Sequence, residues 1–245
     1  MKYKFYSCQD QYIQDNLKRI IWIAQKSFSG IQVTQIEERI KKYDEIIVAI
    51  DSKQIIQGFS FASLHCFNSE LCVGARLVAL NPKYRGKGLV RLLTFYFFLH
   101  YYKLILLRKY RKLIFFSRQC NPIAYKLLHI NQEIFPDLIH KTTYENKSNY
   151  HQKKIYSFLK KSLNIQDLDT DTGVIKLGAT ETGFKSNAKN WNFEKKWQTH
   201  WHDYVGLDNE LLVIFTIDLW FPLKHILKII NLGYKKLVIN IYAQN

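Results

Sequence analysis

Three runs rich in β-branched and aromatic residues follow one another between Glu45 and Leu80, with only short polar breaks between them. They are "EIIVAI" (45–50), "QIIQGFSFASLHCF" (54–67) and "LCVGARLVAL" (71–80). Runs of this kind bounded by turn residues read as strands, and breaks this short join antiparallel neighbours. The next segment, "GLVRLLTFYFFLHYYKLILL", is too long for another hairpin strand and predicts a helix from about Leu89 to Leu107. "KLIFFS" (112–117) then returns to the strand pattern. Residues 71–117 therefore form a strand–helix–strand unit, which requires a right-handed crossover.

The flanking segments complete an α/β pattern. Residues 10–28 place Ile13, Leu17, Ile20, Ile21 and Ala24 at helical spacing. A second helix is expected at 34–44, where Thr34 and Glu37 have capping-box spacing. Another should start near Asn121, with Pro122 suited to the first helical position. The order helix, helix, three strands, helix, strand, helix predicts a mixed, mainly antiparallel central sheet flanked by helices.

Beyond Tyr144 the pattern is weaker. Residues 149–163 read as a basic amphipathic helix with Ile155, Phe158, Leu159 and Leu163 on one face, and "DLDTDTGVIKLG" as a turn leading into a strand. Phe193, Trp197, Trp201 and Tyr204 share one helical stripe; a strand (211–219), a helix (223–231) and a strand (236–242) follow. The expected division is a core at 1–165 and an α/β extension at 166–245. That extension could complete the sheet, cover an acceptor cleft or mediate homodimer formation, and the residues do not choose among these.

Charge is distributed unevenly. The net charge is +16, yet residues 166–245 hold nine Lys/Arg and nine Asp/Glu, so the whole excess lies in 1–165. From Leu71 to Gln132 there are 12 Lys or Arg and no carboxylate. Such a segment concentrates anions around it, although a lysine-rich composition would raise the total by itself. The long apolar helix includes Arg91, His100 and Lys103, which are costly inside a bilayer; a core helix is expected there, with no transmembrane segment.

Four scattered cysteines (Cys8, Cys66, Cys72, Cys120) form no C-x-x-C pair, which suits a reducing cytoplasm and argues against a zinc site. The N-terminus lacks a continuous apolar run of the signal-peptide type. His200, His202 and Asp203 lack the spacing of a ligand set, and Asp167, Asp169 and Asp171 lack the glycine and terminal glutamate of a calcium loop. No metal is expected.

The chemistry-bearing stretch is "NPKYRGKGLVRLL". A turn that leaves a strand and opens a helix points unpaired backbone N–H groups, at the positive end of the helix dipole, toward phosphate oxygens. Gly86 and Gly88 allow close backbone approach, and Arg85 and Lys87 add charge. By itself the stretch reads equally as a glycine-containing loop with solvated cations, and it lacks the P-loop spacing.

With its surroundings, "VALNPKYRGKGLVRLL" resembles motif A of the GNAT N-acetyltransferase superfamily, [RQ]-x-x-G-x-[GA], through Arg85, Gly88 and Val90, the last departing from the usual small residue. "NPIAYKLL" (121–128) is similar to the family's N-x-x-A-x-x-L-Y helix start, and residues 45–64 to its strand 2–strand 3 hairpin. The resemblance spans about residues 10–130 and implies acetyl-CoA as cosubstrate. It implies that Val78, Ala79 and Leu80 pair with the pantetheine arm, that the backbone of Arg85, Gly86, Lys87, Gly88, Leu89, Val90 and Arg91 receives the phosphates, and that Asn121 also reaches the arm. The family's usual acid is a Tyr where this chain has Leu128; Tyr125 is the nearest substitute, and Glu70, at the start of its strand, the candidate base.

The implied reaction is acetyl transfer to an amine of a small molecule, a protein or an aminoacyl-tRNA. A non-catalytic acyl-CoA-binding module is the first alternative. The second is a basic protein that binds RNA, another polyanion or an anionic membrane surface, motivated by "RKYRK" (108–112) and the 149–163 helix.

Overall fold

The structure is a computed structural model that describes residues 1–28, 30–85, 87–119, 125, 134–138, 148–176, 201–206 and 209–218. The helix expected from Asn121, Leu128, Phe193 and Trp197 of the aromatic stripe, and the elements expected at 223–231 and 236–242 lie outside these residues.

Among the described residues, eight strands form one sheet. β1 (Lys2–Ser7), β2 (Glu45–Ile50), β3 (Ile56–Phe67) and β4 (Glu70–Leu80) are antiparallel neighbours in chain order. β5 (Leu113–Gln119) then lies parallel to β4, joined to it through helix α4 (Leu89–Leu106). β8 (Glu210–Ile217) pairs antiparallel with β5 from Leu113↔Ile217 to Gln119↔Leu211. The two-residue strands β6 (Ile134–Phe135) and β7 (Val174–Ile175) also pair with β8. The mixed, mainly antiparallel class expected from the sequence is the one observed. A strand from the 166–245 segment continues the sheet beyond β5.

Because alternate residues of a strand face opposite sides, each sheet face acquires its own helices. On one face Ile47, Val73, Leu113, Phe115 and Val213 pack with Leu89, Leu93, Phe97, Tyr101 and Ile105 of α4. On the other face two separate layers form. Ile46, Val48, Phe59 and Phe61 lie with Ile13, Ile20 and Ile36 of α1 (Gln11–Asp15), α2 (Leu17–Ser27) and α3 (Val33–Lys42). Cys72, Ile114, Phe116 and Ile214 lie with Ile155, Tyr156 and Leu159 of α5 (Tyr150–Ser162). Among the described residues no helix is long and apolar enough to cross a membrane.

Several local expectations change. The period-2 pattern of "KYKFYS" forms β1: Tyr3 stacks on Tyr96 (4.4 Å) and Phe5 on His100 (3.7 Å), with Lys2 and Lys4 exposed on the edge strand. The 10–28 helix breaks at Asn16, whose side chain donates to the Tyr12 carbonyl at 2.9 Å and so competes with the helical ladder. The second helix is capped two residues earlier than Thr34 implied, at Gln32: the Gln35 side chain accepts from the Gln32 N–H at 3.0 Å. Cys8 and Cys72 are buried free thiols, both pushed up to about 12 chiefly by burial, and Cys66 is exposed.

Candidate functional site

β4 changes neighbours along its length. Its parallel pairing with β5 covers only Leu71↔Leu113 to Gly74↔Phe116, although β4 runs on to Leu80 and β5 to Gln119. On its other edge the register with β3 slips between Phe59↔Ala79 and Phe61↔Arg76, and Leu77 there has a φ of +40°. A bulge adds a residue to one strand and bends it. The outcome is a wedge between the ends of β4 and β5, bridged near its apex by Ser117 Oγ donating to the Ala75 carbonyl (3.2 Å).

Val78, Ala79 and Leu80 form the β4 side of this wedge. The chain then enters the loop through Asn81, whose carboxamide accepts from Lys83 N (3.2 Å) and donates to Gln57 Oε1 (2.6 Å). Gln57 is in turn held by Arg19 and Asp51. Arg85 reaches sideways: its guanidinium donates to the Lys26 carbonyl (2.6 Å) in the last turn of α2, where a cation complements the helix dipole. It thus ties the loop to α2. Lys87 is exposed, with Nζ 5.6 Å from the Tyr84 ring centroid.

Gly88 is the N-cap of α4, with a φ of +74°, and a Cβ there would meet nothing within 4 Å. It provides no side-chain cap, and the first turn contains no acidic residue. The first N–H groups of a helix have no partner inside it, so Leu89, Val90 and Arg91 start α4 with donors aimed at the loop. Gly86 and Asn121 lie outside the described residues, as does the Arg91 side chain.

The two expected catalytic side chains each have partners of their own. Tyr125 is fully buried; its hydroxyl donates to the Pro136 carbonyl (2.7 Å) and accepts from Leu138 N–H (2.9 Å). Burial holds its pKa well above the usual phenol value. Glu70 starts β4 at the end remote from the loop, eight residues from Val78 or roughly 25 Å along an extended strand. Its carboxylate lies 3.9 Å from His151 Nε2. Both positions fit structural parts. Tyr125→Phe should lower stability by about 1–3 kcal/mol, because two buried backbone groups lose their partner; urea unfolding measures this.

Charged residues that sequence reasoning did not single out lie beside the wedge. Arg76 and Arg118 follow the last paired β4–β5 rung by two residues each, on the face that carries Phe116. The Arg76 guanidinium lies 5.0 Å from the Phe116 ring centroid, and its Nε donates to Ser63 Oγ at 3.4 Å. Burial pulls Arg76 down to about 10, so it stays charged at pH 7. Arg118 forms an ion pair with the buried Glu210 of β8. The available signal was a single Arg within the apolar run of β4 and another just after the apolar run of β5. Glu210 gave none, because its pairing with Arg118 spans 92 residues.

Among the described residues no group of three or more His, Cys, Asp or Glu could hold a metal ion. The acidic turn is internally satisfied: Asp169 accepts from Asp171 N (2.8 Å) and Thr172 Oγ1 (2.7 Å).

No known protein-family profile matches the chain, and no curated protein sequence does. Among solved structures it is similar to Tetrahymena GCN5, at 14% identity and a TM-score of 0.42, over 61% of this chain and 88% of that one. It is also similar to YhbS, a GNAT family N-acetyltransferase from Escherichia coli in complex with CoA. That match has 18% identity and a TM-score of 0.39, over 51% and 67% of the two chains. A GNAT superfamily phosphinothricin acetyltransferase from Sinorhizobium meliloti, in complex with acetyl-CoA, matches at 16% identity and a TM-score of 0.39, over 55% and 78%.

Proposed function

We propose that this chain is a GNAT-type N-acetyltransferase that uses acetyl-CoA to acetylate a primary amine. The observation that carries the reading is the continuity of three features: a wedge between β4 and β5, an acid-free cationic loop, and the uncapped N-terminus of α4. Val78, Ala79 and Leu80 would offer backbone groups to the pantetheine arm. The N–H groups from Gly88 to Arg91 would receive the pyrophosphate, the Lys87 N–H being turned to the Tyr84 carbonyl at 3.4 Å, with Gly86 and Asn121 assigned by resemblance alone. Lys87 adds an exposed cation next to Gly88, and Arg85 acts by holding the loop on α2.

In the reaction the neutral amine nitrogen forms a bond to the thioester carbonyl carbon, the carbon–sulfur bond breaks, and CoA leaves as a thiolate. One proton must pass from the amine to solvent or to the sulfur. Neither Tyr125 nor Glu70 has a geometry that favours it for this transfer, so water in the wedge is the simpler carrier. The alternative of a non-catalytic acyl-CoA-binding module rests on the same engagement of the Tyr125 hydroxyl.

Thermal unfolding with acetyl-CoA, CoA and ATP at low and high salt tests the cofactor site. At a hundredfold excess over the dissociation constant, stabilisation should be about 2.7 kcal/mol, which is roughly 5–11 °C for a chain of this size. The acetyl-CoA shift should exceed the ATP shift, survive salt and vanish in Gly88→Glu. That variant places a carboxylate where the pyrophosphate would lie, while its own Cβ has open space. An equal ATP shift erased by salt would leave a cationic patch and favour RNA or another polyanion as partner.

A further inference from the structure

On the sheet face opposite α4, the described core residues fall into two separate clusters, one under α1–α3 and one under α5. The polar residues of this face beside the wedge include Ser63, Arg76, Arg118 and Glu210. Strand alternation puts all four on this face: Phe61↔Arg76, Ser63↔Gly74, Gly74↔Phe116 and Arg118↔Leu212 are direct partners.

Among the described residues, two guanidinium groups and one carboxylate make this an under-neutralised seam. Arg76 keeps only 8% of its surface exposed and has no carboxylate within ion-pair distance among the described residues. Arg118 spends Nε on Glu210, and its Nη2 is buried with no hydrogen-bond partner. A guanidinium has five N–H donors in a planar fork that matches a carboxylate; Arg76 spends Nε on Ser63 Oγ, and Arg118 keeps Nη2 without an acceptor. A buried charge without a partner is costly, which gives an incoming anion a large differential interaction. The Arg118 side chain keeps 22% of its surface exposed, so the seam reaches solvent at that point.

We propose that the Arg76–Arg118 seam binds a carboxylate carried by the acceptor, making the substrate class an amine that also bears a carboxylate, such as an amino acid or a peptide acidic near the amine. The description of the ligand as an acceptor rests on the acetyl-transfer reading; the anion site itself does not. The guanidinium charges also disfavour an ammonium beside them, so the same site that fixes the carboxylate favours the neutral, nucleophilic amine.

Product-like probes isolate the carboxylate. The full chain is unfolded thermally at constant ionic strength with N-acetylglycine, with its neutral amide, or with inorganic phosphate, in the presence and absence of CoA. N-acetylglycine should raise the midpoint by several degrees more than the amide or phosphate, and Arg76→Met should abolish the difference. Replacing an unpaired buried charge by an apolar side chain of similar length should leave the fold intact. Arg76→Lys, which keeps the charge without the fork, is measured alongside and should weaken the apparent affinity at least fivefold.

Equal shifts from acid and amide, a larger shift from phosphate, or wild-type affinity retained in either folded variant overturns the proposal. A CoA shift without an N-acetylglycine shift defeats the seam alone. An N-acetylglycine shift without a CoA shift keeps the anion site and removes the acetyl-transfer reading.

Discussion

Gly173→Ala should cost about 4 kcal/mol. Gly173 has a φ of +78°, a conformation that costs a residue with a Cβ roughly 1–3 kcal/mol. Space is also lacking: the new carbon would sit 2.5 Å from the Tyr156 hydroxyl oxygen and 2.9 Å from the Leu212 carbonyl. Those atoms already form a 2.8 Å hydrogen bond with each other, and Gly173 is anchored on both sides by backbone bonds to Asp169 and Leu212. Relief would require moving α5 from β8, and overpacking of this kind adds roughly 1–3 kcal/mol. Gly88→Ala separates the two contributions, since its φ of +74° is similar and its surroundings are open. Urea unfolding should give a loss of only about 1–2 kcal/mol at Gly88; similar losses at both positions would show that the Tyr156 contact yields easily.

Gly74→Ala should cost about 3 kcal/mol, through packing alone. Gly74 occupies the last paired rung between β4 and β5, and an added Cβ would fall 2.4 Å from the Phe116 ring and 2.5 Å from Ser63 Oγ. The ring cannot turn away freely, because Arg76 lies across it and His65 is 6.0 Å from it, centroid to centroid. Phe116→Leu in the Gly74→Ala background makes room and should recover at least about 1 kcal/mol; strict additivity of the two losses in a double-mutant cycle would contradict the contact. The glycine therefore admits the aromatic ring on which Arg76 is held, immediately below the wedge.

The loop and its helix were readable because their signals are local. Gly88 is at the N-cap of α4, where the spacing of "RGKGLV" put a left-handed turn before an apolar helix. β2, β3 and β4 were readable for the same reason, since each is adjacent in sequence to the strand it pairs with. β1 was harder: a six-residue edge strand with alternating lysines lacks the apolar density of a central one. Tyr125 was placed on a catalytic helix face by spacing, but spacing does not show that its hydroxyl meets the backbone of residues 136–138.

Periodicity, glycine position and charge sign are properties of short windows. From them alone follow the element order from α2 to β5, the apolar core helix α4 and the cationic, carboxylate-free character of the loop before it. Folding in three dimensions joined β8 to β5 across 92 residues at Arg118–Glu210, ended the β4–β5 pairing at Gly74, and divided the described core on the Arg76 face into two clusters. Those outcomes depend on long-range register and on which bulky side chains meet, and no window of the chain contains both partners.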